Sequence, residues 1–405
     1  MAKRILIYTN HYFPEQFKIN DVVDWLKGDD FKIRVITGTP NYPSGTIYSG
    51  YGIFSKKSVE IKDNLTINRL PLIPRGSGSK LFIVFNYLSY FISTLAFTFY
   101  LIFFKKKYDV VLVHHTSPFF ISIAPIIYKI FRSSKNILWD LDIWPQTLEG
   151  MNIIKNKTLI NSLEYIVKKI YKFYDEVLIT SRSLQTIINS RIDKNQIHFF
   201  PNWADQEIES RKVLNDIETE IDHDFLNIMY MGNVGEAQDF DSVVKSLKIL
   251  KNIKIRLYII GGGRYKSKFK ELVSTGNLSS KIIFVKHQNL SNVYSYAIQS
   301  DLLFLSLKNE EIFEYTLPAK LQMYMSIGKP ILAMISGEAN NLINNSNVGI
   351  AVESGDYIKL ADEINNICNN KYDLKKMAYN SKQTYDLNFK STLRREQIIK
   401  LIKSI

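Results

Sequence analysis

Residues 81–104 (LFIVFNYLSYFISTLAFTFYLIFF) run for 24 positions without a charge, between Arg75 and Lys80 on one side and Lys105, Lys106 and Lys107 on the other. As a helix this run is long enough to cross a bilayer. It is not an N-terminal signal, because residues 1–80 come first. Three apolar runs around it, 4–8 (RILIY), 31–37 (FKIRVIT) and 110–114 (VVLVH), read as buried strands of one parallel sheet. A spanning helix would put the first two strands across the membrane from the third. The favoured reading is therefore an interfacial helix, packed partly on its own sheet, with a plain core helix as the alternative. At helical spacing Val84, Leu88, Phe91, Leu95, Phe99 and Ile102 share one face, opposite Asn86, Ser89, Ser93 and Thr94. Phe91 and Phe99 are then the expected lipid contacts, with Lys80, Lys105, Lys106 and Lys107 drawn to anionic headgroups.

Charge points the same way. Residues 1–200 carry 26 Lys and Arg against 15 Asp and Glu, whereas residues 201–405 carry 26 against 24. A basic first half fits an anionic membrane surface or nucleic acid. Nucleic acid is the weaker partner, because no recognition-helix motif or RNP-type aromatic strand occurs. The single cysteine, Cys368, excludes an intramolecular disulfide or a cysteine metal cluster and fits a reducing compartment.

Buried runs alternate with longer helical stretches through the chain, and the pattern restarts at 226–231 (LNIMYM) after a polar, acidic stretch over 205–224. Two tandem α/β domains with doubly wound parallel sheets follow, the seam lying near 202–225. The boundaries expected are 1–202, 203–384 and a C-terminal helix over 385–405 that crosses back to the first domain. Ligands of such sheets sit beyond the carboxyl ends of the strands, and two such domains form a cleft.

The loops after strands collect the candidate chemistry. In the first half these are His11, Pro14, Glu15 and Gln16, then His115, then Asp140 and Asp142 ahead of Trp144-Pro145. Asp140 or Asp142 could equally cap the turn before Pro145, and His115 could be a packing histidine. In the second half Gly232-Asn233-Val234-Gly235 and Gly261-Gly262-Gly263-Arg264 each follow a strand and open a helix, where backbone N–H groups can meet a phosphate. Neither is a full G-x-G-x-x-G and no Walker sequence occurs, so nicotinamide and ATP motifs are unsupported.

Residues 314–322 (EYTLPAKLQ) lead to Gly328-Lys329-Pro330-Ile331. Thr316 is the expected N-cap of a helix tolerating Pro318, with Glu314 in the entering loop and Gln322 inside. That helix start can receive a diphosphate, with Thr316 and Leu317 beside it and Lys320 adding charge.

This stretch resembles the E-x-x-x-x-x-x-x-E signature of retaining family 4 glycosyltransferases with the GT-B fold. The resemblance takes in the Phe13-Pro14 loop, Asp142-Ile143-Trp144-Pro145, Pro201-Asn202-Trp203, Gly232-Asn233 and Gly261–Gly263. The WbuB-like enzymes of bacterial surface-polysaccharide assembly, often assigned to L-fucosamine transfer, are the subgroup it points to. It implies two Rossmann-like domains facing across a cleft, with a nucleotide-sugar, UDP-linked, in the second. No further cofactor and no metal are implied. Glu314 takes the place of the first acid, at the donor sugar. Gln322 replaces the second, which holds the nucleotide ribose, and an amide does so less strongly. Relatives place Arg and Lys after the glycine corresponding to Gly232; here Asn233, Glu236 and Gln238 follow, leaving Arg264 and Lys320 as candidate diphosphate ligands. His115 and Asp142 would orient sugar and acceptor, a polyprenyl-diphosphate-linked sugar at the cytoplasmic face of the inner membrane. A GT-B UDP-sugar epimerase and a non-catalytic polysaccharide-assembly scaffold are the competing readings.

Overall fold

The computed structural model describes residues 2–52, 55–76, 78–150, 154, 156–209, 219, 221–286, 288 and 290–405. The seam expected at 202–225 lies partly outside them. The chain divides into two compact units, Met1–Phe200 with Arg395–Ile405, and Pro201–Arg394. Residues 385–405 do not form one helix: Leu374–Asn388 and Ser391–Ser404 are separate, and the chain joins the first unit from Arg395 onward. Gln397 there donates to the Phe199 carbonyl (2.9 Å).

The first unit contains β1 (Arg4–Thr9), β2 (Lys32–Gly38), β3 (Val59–Lys62), β4 (Leu65–Leu70), β5 (Val110–His115), β6 (Lys135–Asp140), β7 (Glu176–Ile179) and β8 (Ile197–Phe199). They form one sheet in the order β3-β4-β2-β1-β5-β6-β7-β8, parallel except where β3 pairs antiparallel with β4. Strands such as β5, buried at every position, read as continuous apolar runs because helices cover both faces. The order reverses between β1 and β5.

The second unit contains β9 (Leu226–Met231), β10 (Ile255–Ile260), β11 (Ile282–Val285), β12 (Leu302–Ser306), β13 (Ile331–Met334) and β14 (Gly349–Val352), ordered β11-β10-β9-β12-β13-β14 and parallel. Here the reversal falls between β9 and β12. Its core includes Tyr230, Phe240 and Phe269, the last two stacked 4.3 Å apart between centroids.

The Lys80–Phe104 helix is built inside out. Its buried positions are Asn86, Tyr90, Thr94, Thr98, Leu101 and Ile102. Mostly polar, they repeat every four residues and so form one stripe against the sheet. The stripe satisfies itself: Thr94 and Thr98 donate to the carbonyls four residues earlier (2.7 and 2.8 Å), Tyr90 to the Thr9 carbonyl (2.7 Å), and Asn86 to the Ile73 carbonyl (2.7 Å). Leu81, Phe82, Val84, Phe85, Leu88, Ile92, Phe99, Tyr100, Phe103 and Phe104 face outward. Only 28% of its most apolar window is buried, against the plain core helix.

One lipid contact expected on spacing, Phe91, needs correction, and Ile102 of the same expected face turns inward. Phe91 is half-buried edge-on to Phe120, 5.4 Å between centroids, and Ile102 is 5% exposed. Phe99 is exposed, as are Lys80, Lys106 and Lys107. Lys105 is half-buried, its ammonium 5.3 Å from the Tyr100 ring centre.

Candidate functional site

In the second unit the loop after β9 lies at the reversal point and pairs with the loop after β10, extending the strand pairing. Gly232 N–H donates to the Ile260 carbonyl (2.9 Å), Val234 N–H to that of Gly262 (2.7 Å) and Tyr265 N–H to that of Val234 (3.1 Å). Contact this close leaves no room for side chains. A β-carbon on Gly261 would lie 1.9 Å from the Gly232 oxygen, and one on Gly263 2.2 Å from the Val234 oxygen.

Lys320 lies over this cradle, its Cε 2.7 Å from where a Gly232 β-carbon would be. Its ammonium donates to the Tyr230 hydroxyl and sits 4.1 Å from that ring's centre, while Tyr230 in turn donates to the Asn233 carbonyl. No carboxylate pairs with Lys320 among the described residues. Burial therefore pulls its pKa down to about 7, because desolvation penalises the charged form and no anion offsets it. A half-buried lysine with no acidic partner is a place where an anion would offset the desolvation of the charge. Arg264 and Asn233 are exposed, and Gly235 is held by its N–H to the Gln238 side chain (2.8 Å).

The helix expected after Thr316 starts later, at Ala319–Ile327, with Pro318 rather than Thr316 at the cap position. Thr316 donates to the Phe313 carbonyl instead (3.0 Å), closing a short Glu311–Glu314 helix where the sequence predicts a loop. Glu314 is exposed, with no side-chain partner among the described residues. Leu317 is buried at 5%. Gln322 is completely buried. Assigned from its surroundings, its amide nitrogen faces the carbonyls of Pro318 (2.7 Å) and Ala319 (3.3 Å). A carboxylate there would face two carbonyl oxygens, which accounts for the amide and corrects the ribose role expected of Gln322.

In the first unit the strand-end loops converge. Asn10 Nδ2 donates to the Ser117 carbonyl (3.3 Å), joining the loops after β1 and β5 at the reversal point. His11 Nδ1 meets Glu15 Oε2 at 2.7 Å, and the other Glu15 oxygen accepts from the N–H groups of Asn41 (2.7 Å) and Tyr42 (2.6 Å). Glu15, 2% exposed, thus clamps two loops and offers nothing to an acceptor. Gln16 is exposed and Pro14 half-exposed.

His115 Nδ1 lies 2.8 Å from Asp140 Oδ1, and Tyr171 donates to the other Asp140 oxygen. Asp140 is fully buried, which corrects its place among acceptor contacts: it orients His115. His115 Nε2 is buried with no hydrogen-bond partner among the described residues. Beside it His114 has its pKa pushed down to about 3, chiefly by burial. Asp142 Oδ2 accepts from the Ser117 N–H and hydroxyl, both 2.9 Å, and Trp144 Nε1 donates to the same hydroxyl (2.9 Å). That carboxylate oxygen is a loop clamp. Sequence reasoning missed Tyr230, which only its contact with the Lys320 ammonium reveals.

Residues 214–384, within the second unit, match the family model "Glycosyl transferases group 1". The chain is 22% identical over 352 residues to the Escherichia coli protein named "Putative colanic acid biosynthesis glycosyl transferase WcaI", covering 83% of this chain and 84% of that one. Among solved structures, sucrose-phosphate synthase from Thermosynechococcus elongatus superposes with a TM-score of 0.73 at 13% identity, over 100% of this chain and 99% of that one. Anabaena Alr3699/HepE in complex with UDP superposes at 0.67 and 12%, over the whole of both chains. The fold is GT-B: two α/β units with parallel sheets.

Proposed function

We propose that this chain is a retaining, metal-independent glycosyltransferase. It moves a sugar from a UDP-linked donor to a polyprenyl-diphosphate-linked acceptor at the cytoplasmic face of the inner membrane, in capsule or O-antigen assembly. The observation that carries this is the position of Lys320, half-buried, without an acidic partner among the described residues and set over Gly232 at the reversal point of the domain matching the group 1 family. A nucleotide diphosphate supplies the negative charge this place lacks. As the sugar–phosphate bond breaks, charge builds on the leaving diphosphate, and a fixed cation with backbone N–H groups stabilises it without reorganising. Glu314, free on the surface, is the group left to meet the donor sugar. HepE, solved with UDP, supports a uridine nucleotide, and the relationship to WcaI supports a role in surface polysaccharide.

The inside-out helix supports the membrane part. A monomeric soluble protein seldom shows so continuous an apolar face, and here lysines bracket it. An N-acetylated deoxy-hexosamine such as L-FucNAc is the donor sugar we propose, on the WbuB-like resemblance. Mass spectrometry of products from a panel of nucleotide-sugars and lipid-linked monosaccharides tests the reading. Transfer of one sugar to one lipid acceptor supports it, whereas interconversion of the nucleotide-sugar with no acceptor, or no turnover, overturns it.

A further inference from the structure

Arg75 stands in a cage that the donor chemistry does not use. Its Nη2 lies 3.2 Å from His11 Nε2 and donates to the Tyr87 hydroxyl (3.2 Å), its Nε donates to Asn86 Oδ1 (3.4 Å), and its guanidinium lies about equally far from the ring centres of Tyr42 (5.2 Å) and Tyr87 (5.1 Å). The backbone is pinned too. Arg75 N–H reaches Asn41 Oδ1 (3.3 Å), and Gly76 N–H donates to the Gly45 carbonyl (2.9 Å), where a β-carbon on Gly45 would strike the Gly76 oxygen at 1.9 Å.

The partners of this cation are mostly neutral. An arginine can only donate, so His11 Nε2 accepts, His11 is uncharged, and its Nδ1–H goes to Glu15. The Glu15 carboxylate is already spent on that proton and two backbone N–H groups. No carboxylate forms an ion pair with Arg75, and its Nη1 makes no hydrogen bond and is not sealed off, among the described residues. The guanidinium is thus held rigidly with one nitrogen, Nη1, left to donate, and a cation fixed in this way suits a phosphate oxygen.

Its location selects the phosphate. Asn86 and Tyr87, two walls of the cage, belong to the helix whose exposed face begins one turn away with Val84, Phe85 and Leu88. The cage also lies among the strand-end loops that carry His11 and Asn41. A ligand with an anionic head and a prenyl tail would place one on Arg75 and the other along the helix. We infer that Arg75 is the binding residue for the diphosphate of the prenyl-linked acceptor; this rests on the acceptor proposed above and adds the group that holds it.

The test is calorimetric binding of farnesyl diphosphate to the full chain in excess UDP, with farnesol as the uncharged control, and flotation on phosphatidylglycerol vesicles in parallel. Farnesyl diphosphate is expected to bind at least tenfold more tightly than farnesol, Arg75→Gln to lose at least tenfold for the diphosphate with farnesol unchanged, and Arg75→Lys to lose less. Vesicle flotation of Arg75→Gln is expected to match wild type. If Arg75→Gln does not fold, the Arg75→Lys loss relative to farnesol decides alone. Equal binding by wild type and variant, displacement by UDP, or parallel loss of flotation, which would mark a general headgroup contact, overturns the assignment. Absence of sugar transfer with the diphosphate effect intact overturns the transferase reading only; transfer by Arg75→Gln with an unchanged acceptor KM overturns this one only.

Discussion

The backbone of Glu314 lies against Gly337 so closely that a β-carbon there would sit 2.1 Å from the Glu314 oxygen and 2.3 Å from its Cα. Gly337 also has φ +73° and opens the Gly337–Asn345 helix, while Glu314 ends its own. One glycine therefore sets the height at which the exposed carboxylate stands.

Gly337→Ala should displace Glu314 and lower sugar transfer at least tenfold. The left-handed backbone alone costs an alanine about 1–2 kcal/mol, a Tm loss of about 2–4 °C per kcal/mol in a unit of this size. Gly355 has φ +80° with nothing within 4 Å of an added β-carbon, so Gly355→Ala carries the strain without the collision. Melting both variants and assaying transfer separates the effects: Gly355→Ala should keep its activity. Glu314→Ala should melt like wild type and abolish transfer; retained turnover would remove the residue from the mechanism.

The pKa of Lys320, near 7 in the free protein, predicts a pH-dependent donor affinity. The sign follows from linkage. A bound diphosphate favours the ammonium, so binding takes up a proton wherever the free protein has lost it. Affinity for UDP should be flat below about pH 7 and fall close to tenfold per pH unit above it, until the bound form titrates. The stability of the unliganded chain responds in the opposite sense: between pH 7 and the ordinary lysine value of 10.5 the unfolded chain holds the proton, so this residue's contribution rises with pH. Calorimetric titration of UDP from pH 6 to 9 checks the first. Lys320→Met should bind weakly at every pH with the slope gone.

Leu88 and Ile92 are 45% and 58% exposed on the outer face of the Lys80–Phe104 helix. Leu88→Asp with Ile92→Asp should leave Tm nearly unchanged and move the protein from phosphatidylglycerol vesicles to the supernatant in a flotation assay. Phe91→Asp should instead lower Tm, because it puts a carboxylate against the Phe120 ring. Persistent flotation of the folded double variant would refute the membrane contact.

The apolar runs at 4–8, 110–114 and 226–231 were legible as strands because both sides of a parallel sheet are covered, so each is mostly apolar, with Asn227 the one polar residue inside a run and Arg4 and His114 at run ends. β4 was missed for the converse reason: Asn68 and Arg69 are buried in it, and only its neighbours show that Arg69 is partnered by Glu60 and the Phe13 carbonyl. The long helix was legible as one continuous apolar helix, but its orientation was not. Leu, Phe and Ile occur nearly all round it, and the deciding polar stripe pays its own hydrogen-bond cost within the first unit. Lys320 and Glu314 could be found from their spacing. The inward turn of Gln322 and the cage around Arg75 depend on contacts between distant segments, which no local pattern encodes.

Asp140 accepts from His115 Nδ1 and the Tyr171 hydroxyl in a fully buried place, which fixes the proton of His115 on Nδ1 and leaves Nε2 as a bare acceptor. Asp140→Asn keeps the shape but gives the site one oxygen and one NH2 where two donors converge. If the amide oxygen stays with Tyr171, its NH2 faces His115 Nδ1 and drives the histidine proton to Nε2. The variant should fold, change the tautomer seen by nitrogen NMR of the ring, and lose transfer by tenfold or more if Nε2 meets substrate. Asp140→Ala leaves two buried donors without an acceptor and should lower stability by about 1–3 kcal/mol for each, read by chemical denaturation. Loss of transfer in Asp140→Asn with the tautomer unchanged would place the effect in packing rather than in His115.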